Sequence, residues 1–263
     1  MKLWENLFFA LDRKILGSRL EARKDKRYLA SFGAQHDAQI VINHNSSRSA
    51  LLDYLCDFYG SDKGELSSND NPYPWDSHTY SDYYSLLFEH ARFHVGLVFE
   101  CGIGTNNGAV PSSMGADGRP GASLRVWRDY FPNANVFGAD IDESVLFEED
   151  RIQTYLVDQC NEESVAKMWS EINLTGFQLM VDDGLHNFAA GKSLFLGSID
   201  RLAEGGVYII EDVSQTDMLL FKDFFDGLEY KVDFVSLRRP PRKGRYSALS
   251  NNQLISIRHA PSN

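Results

Sequence analysis

Residues 181–186 read Val-Asp-Asp-Gly-Leu-His and close the apolar-leaning run Phe177-Gln178-Leu179-Met180. Adjacent ionised carboxylates repel, and burying either without a partner is costly. A second acidic pair, Glu211-Asp212, follows Val207-Tyr208-Ile209-Ile210, and neither stretch holds a lysine or arginine. If these runs are neighbouring strands, Asp182, Asp183, Glu211, Asp212 and His186 share one crevice. Helix capping by unrelated charges is one account of them. A bound divalent cation is the other. Oxygen ligands without cysteine suit magnesium, calcium or manganese rather than zinc. Three carboxylates on magnesium leave room for two hydroxyls of a diol, whose pKa the ion lowers while a nearby base completes deprotonation. His186, three residues past Asp183, is the candidate base. A helix N-terminus lowers its pKa and the carboxylates raise it.

The elements that must hold these residues are visible as short apolar runs at 96–100, 135–139, 153–157, 177–181 and 206–210. Helical periodicity fills 123–131, 161–172, 187–203 and 214–226 between them. Alternating strands and helices predict a parallel sheet covered on both faces. Two further strand-like runs, 228–235 and 252–258, have no helix between them and predict a terminal antiparallel hairpin. The sum is an α/β, doubly wound, mostly parallel seven-stranded sheet with a C-terminal hairpin. Ligands bind such sheets beyond the carboxyl ends of the strands, where strand order reverses.

The other strand ends also carry candidates. Glu100-Cys101-Gly102-Ile103-Gly104 ends the first run, and its glycines permit close backbone approach to a ligand. The third glycine of a dinucleotide fingerprint is missing, because residue 107 is Asn107. A long loop, 105–120, delays the following helix, so a turn plus a surface loop explains the glycines too. Asp140-Ile141-Asp142 ends the second run. An acid there accepts from a ribose diol, and Asp142 also suits a helix N-cap. Asp158-Gln159 ends the third run and could read an adenine edge or cap the next helix.

The chain has 263 residues, a net charge of −11 and 43% hydrophobic residues, an ordinary globular composition whose acidity argues against non-specific nucleic-acid binding. Cys56, Cys101 and Cys160 are odd in number and widely spaced, which fits a reducing cytoplasm rather than a disulfide framework or zinc site. No apolar stretch reaches the roughly 18 residues of a transmembrane helix. Residues 1–55 have a helical, polar-mixed pattern. Within them Leu3, Leu7, Leu11 and Ile15, widened by Trp4 and Phe8, form an apolar stripe. That stripe suits packing on its own domain, on a sister subunit as in a homo-oligomer, or on a membrane surface. Residues 57–80 are rich in Gly, Asn, Asp, Ser and Pro and read as a loop or lid. The organisation expected is an N-terminal helical and lid region over 1–90 and a ligand-binding domain over 91–263. Near the end, 238–245 carries five positive charges in an acidic protein, either as a solvated loop or as a contact for an anionic substrate such as a nucleotide sugar or an anionic glycan.

Several stretches together resemble a known family: Ser61-Asp62-Lys63-Gly64, His78-Thr79-Tyr80, the run from Gly121 to Asp142, Asp158-Gln159, the Asp182–His186 stretch and the run from Gly205 to Val213. The chain is similar there to class I S-adenosylmethionine-dependent methyltransferases, and more closely to the metal-dependent sugar O-methyltransferases of the macrocin and mycinamicin type. The resemblance spans about residues 61–213 and implies a Rossmann-like fold, bound S-adenosylmethionine and a Mg2+ ion. It implies Asp183, Glu211 and Asp212 as metal ligands and His186 as general base. Glu100, Gly102, Gly104, Ser123, Asp140, Asp158, Gln159 and Asp182 would line the cofactor site. A metal-held sugar hydroxyl would attack the methyl carbon in line with the sulfonium. Asp62, Lys63, His78, Tyr80 and Tyr83 could form a lid, though packing and turn formation explain them nearly as well. The 105–120 loop departs from the family pattern. A nicotinamide-dependent oxidoreductase shares the fold class and Asp140; a non-catalytic binding module and a metal-dependent hydrolase are the other rivals.

Overall fold

The computed structural model describes residues 39–45, 47–66, 71–73, 75–238 and 252–260. The N-terminal apolar stripe and the basic segment beyond Arg238 lie outside the described residues. In chain order the elements are β1 (Gln39–Asn43), α1 (Ala50–Tyr59), α2 (Tyr80–Phe88), β2 (Leu97–Cys101), α3 (Ala122–Tyr130), β3 (Asn135–Asp140), β4 (Glu148–Glu149), β5 (Ile152–Leu156), α4 (Glu162–Ile172), β6 (Phe177–Asp182), α5 (Phe188–Ser198), β7 (Leu202–Ile210), α6 (Gln215–Phe225), β8 (Tyr230–Arg238) and β9 (Gln253–His259).

The sheet order is β1-β8-β9-β7-β6-β2-β3-β5-β4. All seven expected strands are present as its middle, but the sheet among the described residues has nine strands, because β1 and the two-residue β4 add one at each edge. β1 falls in a stretch whose pattern predicts helix. Ile40, Val41 and Ile42 are β-branched, and they run parallel to β8 from Ile40 opposite Val235 to Ile42 opposite Leu237. The hairpin is antiparallel as expected, with β9 also antiparallel to β7.

Pleating divides the sheet into two cores. Val98, Leu179, Val181, Val207 and Ile209 face α1, α2 and α3, where Leu52, Tyr84, Trp127 and Phe131 pack. Phe99, Met180, Tyr208 and Ile210 face α4, α5 and α6, meeting Trp169, Leu194, Phe195 and Phe221. Side chains alternate with a period of two, so near-continuous apolar runs are what a doubly covered sheet requires. Side-chain caps start the helices on the second face. Asn161 accepts from the backbone N–H groups of Glu163 and Ser164, Asn187 from Ala190, and Ser214 from Asp217.

Candidate active site

From β2 the chain builds outward through β3 to β5, then returns to β6 on the other side of β2. The crevice therefore opens where β2 and β6 diverge. Asp183 donates its backbone N–H to the Cys101 carbonyl at 2.8 Å, which locks the two strand ends together. Gly102 has φ +88°, and a Cβ there would run into the backbone of Asp183 and Gly184. The glycine is thus required by both conformation and space.

The same pleat resolves the repulsion within Asp182-Asp183. Asp182 continues the Met180 side toward α5, where its Oδ1 accepts from Gln159 Nε2 at 3.1 Å and its Oδ2 has no hydrogen-bond partner. Burial pushes Asp182 up to about 6. Asp183 emerges on the α1–α3 side, which Glu100 and Glu211 also face.

A cation that neither acidic stretch contains meets these three carboxylates. Lys63, in the loop after α1, donates through Nζ to Asp183 Oδ2 at 2.6 Å, bonds Glu211 Oε2 and lies 3.2 Å from Glu100 Oε1. Its side chain is 4% exposed. Burial opposes its charge, but the three carboxylates outweigh that and hold its pKa well above the usual lysine value. Tyr84 Oη donates to Glu211 Oε1 at 2.6 Å, and the Trp127 indole N–H donates to Glu100. Glu211 and Glu100 both belong to this internal network. Lys63, expected as part of a lid, is a buried counter-charge.

A second group converges at the mouth. His186 Nε2 lies 3.2 Å from Asp183 Oδ1, and its Nδ1 lies 3.6 Å from Asp212 Oδ2. Ligand atoms of Asp183, His186 and Asp212 all fall within 4.8 Å of one another. Tyr80 Oη donates to Asp212 Oδ1 at 2.6 Å and accepts from the Asp212 N–H at 3.1 Å. His78 stacks on Tyr80 and stands 3.4 Å from the same Asp212 oxygen. His186 (φ +54°) and Asp212 (φ +52°) are both non-glycine residues in the left-handed region. Such strain gathers where a site over-determines the backbone. The expected helical spacing of Asp183 and His186 is not what joins them, since α5 begins only at Phe188; the left-handed turn does. Burial disfavours a charged imidazole, yet Asp212 and Asp183 outweigh it and raise His186 to about 10. Partial burial likewise opposes ionisation of Asp183, but Lys63 and His186 hold it well below the usual carboxylate range.

Two adjoining cavities share Gly102, Gly104, Ser112 and Asp183. The larger, about 390 Å³, is lined by Ser123, Asp183, His186, Glu211 and Asp212, with Asp62, His78 and Tyr80. The smaller, about 140 Å³, is lined by Asp140, Asp158 and Gln159. Asp140 accepts the N–H groups of Ile103 and Asp142 at 2.9 and 3.0 Å, so it shapes the glycine loop. Asp142 caps a short turn and takes the Thr105 hydroxyl. Asp158 accepts from the Cys160 N–H, and Gln159 Oε1 from the Leu185 N–H at 2.8 Å. Glu100 and Asp182 line neither of these cavities, and Tyr83 is buried away from them. Sequence patterns gave no sign of Tyr73, Trp75 and Arg119 as walls of the larger cavity, because all three sit in loops without periodicity.

This sheet order, with its crevice at the switch point and its terminal antiparallel strand, is the methyltransferase form of the Rossmann-like fold. Among solved structures it is similar to the MycE methyltransferase from the mycinamycin biosynthetic pathway in complex with Mg and SAH, with a TM-score of 0.55 and 21% identity over 80% of this chain and 54% of that one. Among curated proteins, the 8-demethyl-8-alpha-L-rhamnosyl tetracenomycin-C 2'-O-methyltransferase of Streptomyces olivaceus is 30% identical over 152 residues, 58% of this chain and 38% of the relative. The mycinamicin VI 2''-O-methyltransferase of Micromonospora griseorubida is 29% identical over 136 residues, 52% and 32% of the two chains. The resemblance to sugar O-methyltransferases read from the motifs is thus borne out. The chain spans less than half the length of these relatives. No protein-family model matches it. Among the described residues, no helix is long and apolar enough to cross a membrane.

Proposed function

We propose that this chain is an S-adenosylmethionine-dependent, divalent-metal-dependent O-methyltransferase acting on a sugar hydroxyl. The observation that carries the reading is the convergence of Asp183, His186 and Asp212 on the cavity that adjoins the Gly102–Gly104 crevice. Both absent groups fit the residues present. The carboxylates of Asp183 and Asp212, within 4.8 Å of each other and of His186, offer oxygen donors to a divalent cation, and four acids, Glu100, Asp183, Glu211 and Asp212, face the single lysine Lys63. Gly102 and Gly104 line both adjoining cavities, which suits a donor that must approach the backbone. The names of the relatives, which specify O-methylation of rhamnosyl and mycinamicin compounds, support the reaction class.

Asp183 and Asp212 are the proposed metal ligands at the mouth. Glu211, also expected as a ligand, lines the same cavity but bonds Lys63 and Tyr84 and lies outside the cluster of Asp183, His186 and Asp212. A divalent cation held there supplies positive charge that acidifies a hydroxyl and offsets the pull of the carboxylates on the His186 proton. S-adenosylmethionine supplies an electrophilic methyl group on a sulfonium. The chain's own residues do the rest. His186 takes the hydroxyl proton as general base. Asp140, Asp158 and Gln159 border the smaller cavity, which suits the adenosine half of the donor, while Gly104 and Ser123 border the larger. Tyr80 and His78 fix the Asp212 carboxylate, and Lys63 fixes Asp183, so the reacting groups meet prealigned walls. A cytoplasmic homo-oligomer completes the proposal; Cys56, Cys101 and Cys160 are all free thiols.

The test is transfer of a labelled methyl group from S-adenosylmethionine to a panel of rhamnosides, other deoxysugars and nucleotide sugars, with and without Mg2+. Calorimetry with S-adenosylhomocysteine and with NAD accompanies it. Magnesium-dependent labelling and selective binding of the homocysteine product are expected. Preferential NAD binding, or no labelling of any sugar, overturns the reading.

A further inference from the structure

The larger cavity has an aromatic wall with no part in the reading above. Tyr73 and Trp75 stack with ring centroids 5.2 Å apart and planes 26° from parallel, and both line the cavity. Tyr73 is buried and anchored through its hydroxyl to the Gly60 carbonyl at 2.7 Å. Trp75 is half-buried, and its indole N–H donates to Asp62 Oδ2 at 2.8 Å. The indole is thus held at one face by Tyr73 and at its edge by Asp62. From Trp75 the contacts run on to the reacting end: Asp62 Oδ2 stands 4.0 Å from His78 Nε2, which stands 3.4 Å from Asp212. Asp62 Oδ1 has no hydrogen-bond partner among the described residues.

We propose that Trp75, backed by Tyr73, is the platform on which the acceptor sugar stacks, that Asp62 Oδ1 accepts a hydroxyl of that sugar, and that the sugar is a neutral pyranose. This rests on the sugar O-methyltransferase reading above. A pyranose has an apolar face of C–H groups and a polar rim, and the negative face of an indole attracts such C–H groups while the rim seeks acceptors. A fixed, half-exposed indole beside a carboxylate matches both. Asp62, whose carboxylate accepts the edge of the indole, lines the same cavity. A uronate or phosphate on the stacked ring would be brought against that carboxylate and repelled by it.

The test uses the full chain with S-adenosylhomocysteine and Mg2+, with methyl α-L-rhamnopyranoside as neutral probe and methyl glucuronide as anionic probe. Binding is followed by saturation-transfer NMR and competition. The rhamnoside is expected to receive saturation mainly at C–H groups of one ring face and to bind more tightly than the glucuronide. Trp75→Leu should weaken the rhamnoside roughly tenfold and Trp75→Phe by a few-fold at most. Homocysteine-product affinity should stay unchanged in both, which also reports that the variants are folded. In turnover with S-adenosylmethionine, the Leu variant should raise the acceptor KM with little change in kcat. The proposal is overturned if Trp75→Leu binds the rhamnoside as the parent does, if the glucuronide binds better, or if neither sugar binds to a parent that binds the homocysteine product. If the parent binds neither that product nor sugar, the methyltransferase reading falls with it.

Discussion

Lys63 brings one positive charge to three carboxylates, so its removal strands more charge than it deletes. Lys63→Met leaves Glu100 and Glu211 buried with no cation, while Asp183 keeps His186, and should destabilise the chain by about 3–5 kcal/mol, read from urea unfolding at pH 7. Removal of one buried partner, rather than of the pair, is what makes the effect large. His186 acts at the other side of Asp183. His186→Gln should lower kcat by about 10²–10⁴ while leaving binding of the homocysteine product intact, as measured by steady-state kinetics and calorimetry. Asp183 and Lys63 also mark a limit of sequence reading at this scale. The acids are legible because they end apolar runs, whereas their counter-charge lies 120 positions upstream in a loop, and nothing local announces which carboxylate it will meet.

At the scale of elements, the junction of β2 with β6 is the most constrained place in the site. Gly102→Ala must leave φ +88° and push against the Asp183 backbone, so it should cost more than about 1 kcal/mol of stability and abolish binding of the homocysteine product. Thermal melts and calorimetry read the two effects. The β1 edge is tied differently. His44, just after β1, places Nδ1 2.8 Å from Asp82 Oδ2 and Nε2 3.1 Å from Glu65 Oε2. The Asp82 hydrogen bond, against some burial, raises the His44 pKa above its ordinary value. The folded pKa therefore lies above the unfolded one near 6.5, so the charged pair stabilises fully below about pH 6.5 and is lost as pH rises through the folded value. His44→Ala should cost about 1–2 kcal/mol at pH 5.5 and less at pH 9, read from urea midpoints. The strands and helices from β2 to α6, β4 excepted, were legible because each is a run with one clear period between polar breaks. β1 was not: it lies in a stretch of mixed polar pattern, and its identity comes from pairing with β8, far along the chain.

For the whole molecule, two cores on opposite faces of one sheet bind every strand end to a common frame. A ligand in the crevice then stabilises the chain as a unit. Homocysteine product at about 100 times its Kd should add about 2.7 kcal/mol, seen as a rise of several degrees in Tm. The doubly wound architecture was legible from alternation alone. The two extra edge strands were not, since a two-residue strand such as β4 has no pattern to read, and the walls at Tyr73, Trp75 and Arg119 emerge only when loops close over the sheet.

The buried ammonium of Lys63 has a practical corollary. Proteins that build their shape around an ion collapse when a chelator strips it. Here the chain furnishes its own permanent cation at the heart of the acidic cluster. Purification in EDTA should accordingly yield a silent but intact protein, with the circular dichroism and cooperative melt of the untreated sample, that regains turnover on simple addition of magnesium.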